Sequence, residues 1–124
     1  FINGNLYLNE IQIFRDIKSR EDQIFCGDKI IDVNTFEEKL DNNIKFKTVY
    51  RKDFTFQNSD KFLVPENHYF FLGDNRDCSK DSRFLSEVGY VHKDNLVGKA
   101  QIMFFSSNPR IGSLLKIWKL RTVT

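Results

Sequence analysis

Ile44-Lys45-Phe46-Lys47-Thr48-Val49-Tyr50 alternates apolar with polar side chains, the period-two pattern of a strand with one wet face. Asp41-Asn42-Asn43 in front of it is a turn, and Phe54-Thr55-Phe56 behind it predicts another short strand before the loop Gln57-Asn58-Ser59-Asp60. Upstream, Ile30, Ile31 and Val33 suggest a strand, while Thr35 to Leu40 reads as one helical turn or an irregular link. Residues 15–29 are charged, carry Cys26-Gly27-Asp28, and read as a surface connection. At the start, Asn3-Gly4 is a type I′ turn dipeptide, because both central positions of that turn need φ > 0. A second tight turn near Asn9-Glu10 divides Leu6 to Ile13 into two short strands.

Composition agrees with a mainly β chain. A single alanine, Ala100, stands against 13 phenylalanines and many β-branched residues, which fit pleated, half-buried surfaces. At 124 residues, 40% hydrophobic and 29% charged, the chain fits one ordinary domain and not a disordered or collagen-like one. The best apolar stretch, Ile102-Met103-Phe104-Phe105, is far too short for a membrane span. Nineteen basic residues against 17 acidic ones leave +2, too little to imply a nucleic-acid partner. Lys45-Phe46-Lys47 is better explained as a wet strand face.

The second half changes character. His68-Tyr69-Phe70-Phe71-Leu72 reads as a strand apolar on both faces, and Tyr90-Val91 and Leu96 to Phe105 as closing strands. Between them lies the charge-dense Gly73-Asp74-Asn75-Arg76-Asp77-Cys78-Ser79-Lys80-Asp81-Ser82-Arg83. By spacing alone it is a surface turn in which Asp81 and Arg83 can form a charge-assisted pair. It is not a calcium loop. Counted from Asp74, an EF-hand needs glycine sixth and glutamate twelfth, and those positions hold Ser79 and Leu85. His68 and His92 are too few, and too plainly set in strand and loop, to suggest a metal site, so no metal and no cofactor are expected. Cys26 and Cys78 are an even pair that an exported domain could oxidise; their state stays open.

The segment 73–83 resembles the last box of the type I signal peptidases, the membrane-bound leader peptidases. Val64-Pro65-Glu66-Asn67-His68-Tyr69-Phe70-Phe71-Leu72 before it is similar to the family's approach strand. Glu87-Val88-Gly89-Tyr90-Val91 and Asn95-Leu96-Val97-Gly98-Lys99-Ala100 are similar to the family's stretch after the box, and Leu6-Tyr7-Leu8-Asn9 to a short strand upstream. Cys78 occupies a position that is often asparagine in relatives.

The resemblance implies a serine endopeptidase that uses a Ser–Lys dyad to remove signal peptides from exported preproteins. The site of action would be the outer, periplasmic face of the bacterial cytoplasmic membrane. A lysine kept neutral by burial takes the proton of the attacking serine in such an enzyme. The family's Ser-Met-x-Pro box and Lys-Arg box do not occur in this chain, which begins at Phe1 rather than methionine. It therefore reads as the carboxy-terminal part of a longer protein, with no catalytic residue of its own and no activity alone. Ser113-Leu114-Leu115-Lys116 has a Ser-x-x-Lys spacing but lies in the tail, outside the resemblance.

Supporting roles carry over residue by residue. Ser79 would help aim the lysine amine, and Asp81 and Arg83 would pair to hold the loop, with Asp81 also bonding towards Ser79. Gly73 would let the backbone pass close beside the lysine, and Asp74, Asn75, Arg76 and Asp77 would be structural. The implied fold is coiled antiparallel sheets with little helix: residues 1–14 and 61–106 in the catalytic β-domain and 15–60 in a smaller inserted β-region. Residues 107–124 form an amphipathic basic tail. There Leu114, Leu115, Ile117, Trp118 and Lys119 would either meet a membrane surface or pack on the domain. Two alternatives share the box: a related Ser–Lys processing protease of a conjugation system, and a non-catalytic β-domain that keeps the box as scaffold.

Overall fold

A computed structural model of the chain describes residues 1–40 and 43–98. Phe1–Lys93 make one compact unit, and the described residues 94–98 lie outside it. The architecture is mainly β and antiparallel. Strands β1 (Tyr7–Leu8) and β2 (Ile11–Gln12) form a short hairpin. Strands β3 (Phe14–Cys26), β4 (Lys29–Lys39) and β5 (Lys45–Arg51) form a three-stranded sheet with β4 in the middle. Strands β6 (His68–Tyr69) and β7 (Val91–His92) pair apart from it.

The turn chemistry falls where the sequence places it. Asn3 (φ 49°) and Gly4 (φ 76°) are both left-handed, and Ile2 and Asn5 exchange backbone hydrogen bonds of 2.9 and 3.0 Å across them. Asn9 (φ 51°) and Glu10 (φ 68°) make the second turn, closing β1 onto β2.

Several other elements differ from expectation. Residues 15–29 are no surface connection: most of them belong to β3, an edge strand that exposes Asp16, Lys18, Arg20 and Glu21 to water. Thr35 to Leu40 is neither helix nor link, because ladders on both sides hold residues 35–39 in β4. Phe54-Thr55-Phe56 is not a strand. The Asp77 carboxylate stands where a partner strand would, accepting from Phe56 N at 2.7 Å and Thr55 Oγ1 at 3.2 Å.

Of the approach strand only His68 and Tyr69 enter a ladder, and Tyr69 and Phe71 are about half exposed rather than buried on both faces. Leu96 to Gly98 are not in a strand, and the rest of that closing strand, the Ser113–Lys116 spacing and the basic tail lie outside the described residues.

The buried centre is more polar than apolar. Ile13, Val33 and Tyr50 are its buried apolar side chains, beside Thr35, Glu38, Thr48, Arg76, Asp81 and Ser82. Burying such groups is costly unless each is hydrogen-bonded. Arg76, Asp81 and Ser82 of the segment 73–83 meet that requirement, whereas Thr48 Oγ1 on β5 and Asn75 Oδ1 in the segment are buried without a hydrogen-bond partner among the described residues.

Candidate functional site

The front of the segment docks on the sheet. Val49 N donates to Asp74 O at 2.9 Å and Arg76 N to Val49 O at 3.0 Å, so the segment runs along β5 as a parallel bridge at Asn75. This carries Arg76 beneath the sheet, where it is 3% exposed. Its Nη1 and Nη2 reach the two oxygens of Glu38 on β4 at 2.7 and 2.5 Å, a bidentate ion pair. The Tyr50 hydroxyl donates to Glu38 Oε1 at 2.7 Å and accepts from Arg76 Nη1 at 2.6 Å. Arg76 Nε donates to the Gly73 carbonyl at 3.0 Å. Burial pushes the Tyr50 hydroxyl up to about 12, with Glu38 adding to the rise and Arg76 opposing it. Arg15 from β3 lies over the Phe36 and Tyr50 rings, 4.6 and 4.5 Å from their centroids. Asp77 completes the docking, accepting from Arg51 N at 2.8 Å as well as from Thr55 and Phe56.

The back of the segment is tied to itself. Arg83 Nε and Nη2 both bond the Asp81 carboxylate at 2.8 Å, and both side chains are 6% exposed. Arg83 Nη2 also donates to the Arg76 carbonyl at 2.5 Å. Asp81 Oδ2 accepts from Gly73 N at 2.7 Å, which closes the segment into a ring. Burial opposes ionisation of Asp81, but Arg83 and the Gly73 amide outweigh it and hold the carboxyl below its ordinary value. Ser82, fully buried, clips Phe71: its Oγ accepts from Phe71 N at 2.8 Å and its N donates to Phe71 O at 3.0 Å.

Gly73 is the point of closest approach. A Cβ there would fall inside the contact distance of the Ser79 Oγ and Cβ. The close neighbour the glycine admits in this chain is therefore the Ser79 side chain. Among the described residues Asp81 bonds Gly73 and Arg83, so its influence on Ser79 passes through Gly73. Glu38, Tyr50 and Arg15 were not legible as members of this cluster. Nothing in their local pattern marks a glutamate beside Glu37 as buried, and its partner lies 38 residues away. Cys78 is bonded to Cys26, with Cα atoms 5.7 Å apart, which settles what the sequence leaves open. His68 and His92 face each other across β6 and β7 with ring centroids 5.0 Å apart.

The sequence matches the family described as signal peptidase, peptidase S26, over residues 15–105. The chain belongs to that family. It is 34% identical over 113 residues to a signal peptidase I of Rickettsia conorii, and 35% identical over 114 residues to one of Rickettsia prowazekii. Each alignment covers 86% of this chain and 40% of the relative. A signal peptidase I of Rickettsia bellii is 54% identical over 50 residues, covering 40% of the chain and 17% of that protein. The chain thus spans about 40% of the length of the first two relatives. No solved structure matches it. Signal-peptide processing is the family's activity, and the segment 73–83 lies within the matched span. No helix among the described residues is long and apolar enough to cross a membrane.

Proposed function

We propose that this chain is the carboxy-terminal support of a type I signal peptidase, a Ser–Lys endopeptidase acting on preproteins at the outer face of the bacterial cytoplasmic membrane. One observation carries the reading: the ring in which Glu38 fixes Arg76, Arg76 fixes the Gly73 carbonyl, and Gly73 is shared between Asp81 and the Ser79 side chain. Such a ring holds Ser79 in one position without any nucleophile of its own. That suits a group which orients a lysine supplied from elsewhere in the protein. The nucleophilic serine and the general-base lysine belong to boxes that precede these residues in the family.

The test has two arms. In a bacterium depleted of its own signal peptidase, the whole reading frame that encodes these residues should restore preprotein processing, and its Ser79→Ala variant should lower kcat more than KM. The 124-residue chain alone should cleave nothing. Turnover by the chain alone that vanishes on Ser113→Ala would overturn the reading and move catalysis to the tail.

A further inference from the structure

The three strands of the main sheet do not end together. The β4–β5 ladder stops at Val33↔Arg51, with one more backbone bond from Lys52 N to Asp32 O at 3.0 Å. Beyond that point β3 and β4 continue as a ribbon whose rungs run from Asp22↔Val33 to Cys26↔Lys29. Among the described residues, 24–31 pair in the sheet only with each other. Register shifts between Ile17 and Ser19 and between Ser19 and Asp22 lie at the ribbon's root. Bulges of this kind bend a strand and raise its twist. None of residues 22–32 is buried; Phe25 is 41% and Ile30 57% exposed. A two-stranded ribbon with so little burial is marginally stable by itself. Its far end is nevertheless fixed. Cys26, the last residue of β3, is bonded to Cys78 in the middle of the 73–83 segment, 52 residues on.

We propose that Cys26–Cys78 is a thiol–disulfide exchange site, the substrate of a dithiol oxidoreductase, and that this bond clasps the 22–32 ribbon onto the segment. Neither cysteine is buried, so a reagent can reach the pair. Reduction by a dithiol breaks the Cys26–Cys78 bond through a mixed disulfide. The reagent gives up two electrons and two protons, leaves with its own disulfide, and Cys26 and Cys78 become thiols. The segment does not depend on the clasp for its shape. Arg76–Glu38, Asp81–Arg83 and the three bonds to Asp77 remain when it opens. What is released is the ribbon. Cys78 stands next to Ser79, so any adduct left on Cys78 lies beside the residue proposed to aim the lysine. The inference itself does not rest on peptidase activity, and its test reads backbone protection alone.

Hydrogen exchange of the 124-residue chain, measured by mass spectrometry before and after treatment with dithiothreitol, tests it. Peptides covering 22–32 should exchange at least about tenfold faster once reduced, while those covering 45–51 and 73–77 keep their protection. The paired variant Cys26→Ser with Cys78→Ser should match the reduced chain and ignore the reductant. Equal exchange in both states would overturn the proposal. So would a loss of protection throughout the chain, which would make the bond a staple of the whole fold, or alkylation of both cysteines in the untreated protein.

Discussion

The segment 73–83 is anchored in two different ways at its two ends. Its front, from Gly73 to Asp77, is held to the sheet by residues far away in sequence: Glu38 on β4, Val49 and Tyr50 on β5, and the amides of Arg51 and Phe56. Its back, from Ser79 to Arg83, finds its partners nearby in sequence: Asp81 with Arg83 two residues later, Arg83 with the Arg76 carbonyl and Ser82 with Phe71. Both ends bury an ion pair, yet they answer different needs. The front fixes where the segment sits on the sheet, and the back fixes what shape it has once there. A loop that must hold a side chain in one position needs both, since a rigid loop loosely docked is as imprecise as a docked loop without shape.

Removing one partner at each end separates the two functions. Glu38→Ala leaves the Arg76 guanidinium buried without its carboxylate and the Tyr50 hydroxyl without its acceptor. This change should cost about 4 kcal/mol, the range for breaking a buried pair from one side. Arg83→Ala should cost somewhat less, about 3 kcal/mol, because the orphaned Asp81 keeps the Gly73 amide. Lys80→Ala, which removes only an exposed pair with Glu87, should leave the denaturation midpoint where it is. Urea titrations of the three variants check the order. An Arg83→Ala loss larger than that of Glu38→Ala would make shape, not docking, the dominant contribution.

The point at which the two ends meet is Gly73, whose carbonyl serves Arg76 and whose amide serves Asp81. Gly73→Ala drives a methyl into the Ser79 side chain and should cost about 2 kcal/mol, in the range of overpacking. Ser79→Gly in the same chain removes the obstacle. A double-mutant cycle should therefore return a coupling of about 1 kcal/mol or more in the sense of rescue. Additive losses would mean that Gly73 is required for some neighbour other than Ser79.

The same contrast explains what could be read from the sequence. Asp81 and Arg83 lie two residues apart, so their pairing was legible from spacing, and the turns at Asn3-Gly4 and Asn9-Glu10 were legible because positive φ selects few residue types. The strand at 44–50 was legible from its alternation. Glu38 was not, because its partner is on another element and a buried glutamate has no local signature. Residues 15–26 misled for a related reason. An edge strand that shows most of its side chains to water has a polar composition, and only its ladder with β4 makes it a strand. Phe54 to Phe56 misled in reverse: the pattern suits a strand, but the Asp77 carboxylate took the amide that a ladder would have used.

The smallest effects expected are those of pH, and the two ends titrate on opposite sides of neutrality. At the back, Asp81 is held below its ordinary value, so its contribution is whole above the unfolded carboxyl's range, about 4. It falls away as pH drops through the lower, folded value. Asp81→Asn should therefore flatten the acid limb of stability against pH while leaving the alkaline limb unchanged. At the front, the folded chain holds the Tyr50 proton until about 12, whereas the unfolded chain releases it near 10. Unfolding thus sheds a proton across that window. The contribution is complete below pH 10 and lost as pH climbs to about 12. Tyr50→Phe, less stable at pH 8 because Glu38 and Arg76 each lose a partner, should draw level with the parent as pH rises from 10 to 12. Urea midpoints measured at half-unit steps give both limbs. A gap between parent and Tyr50→Phe that stays constant to pH 12 would mean that water reaches the Tyr50 hydroxyl. The front of the segment would then be no better sealed than its back.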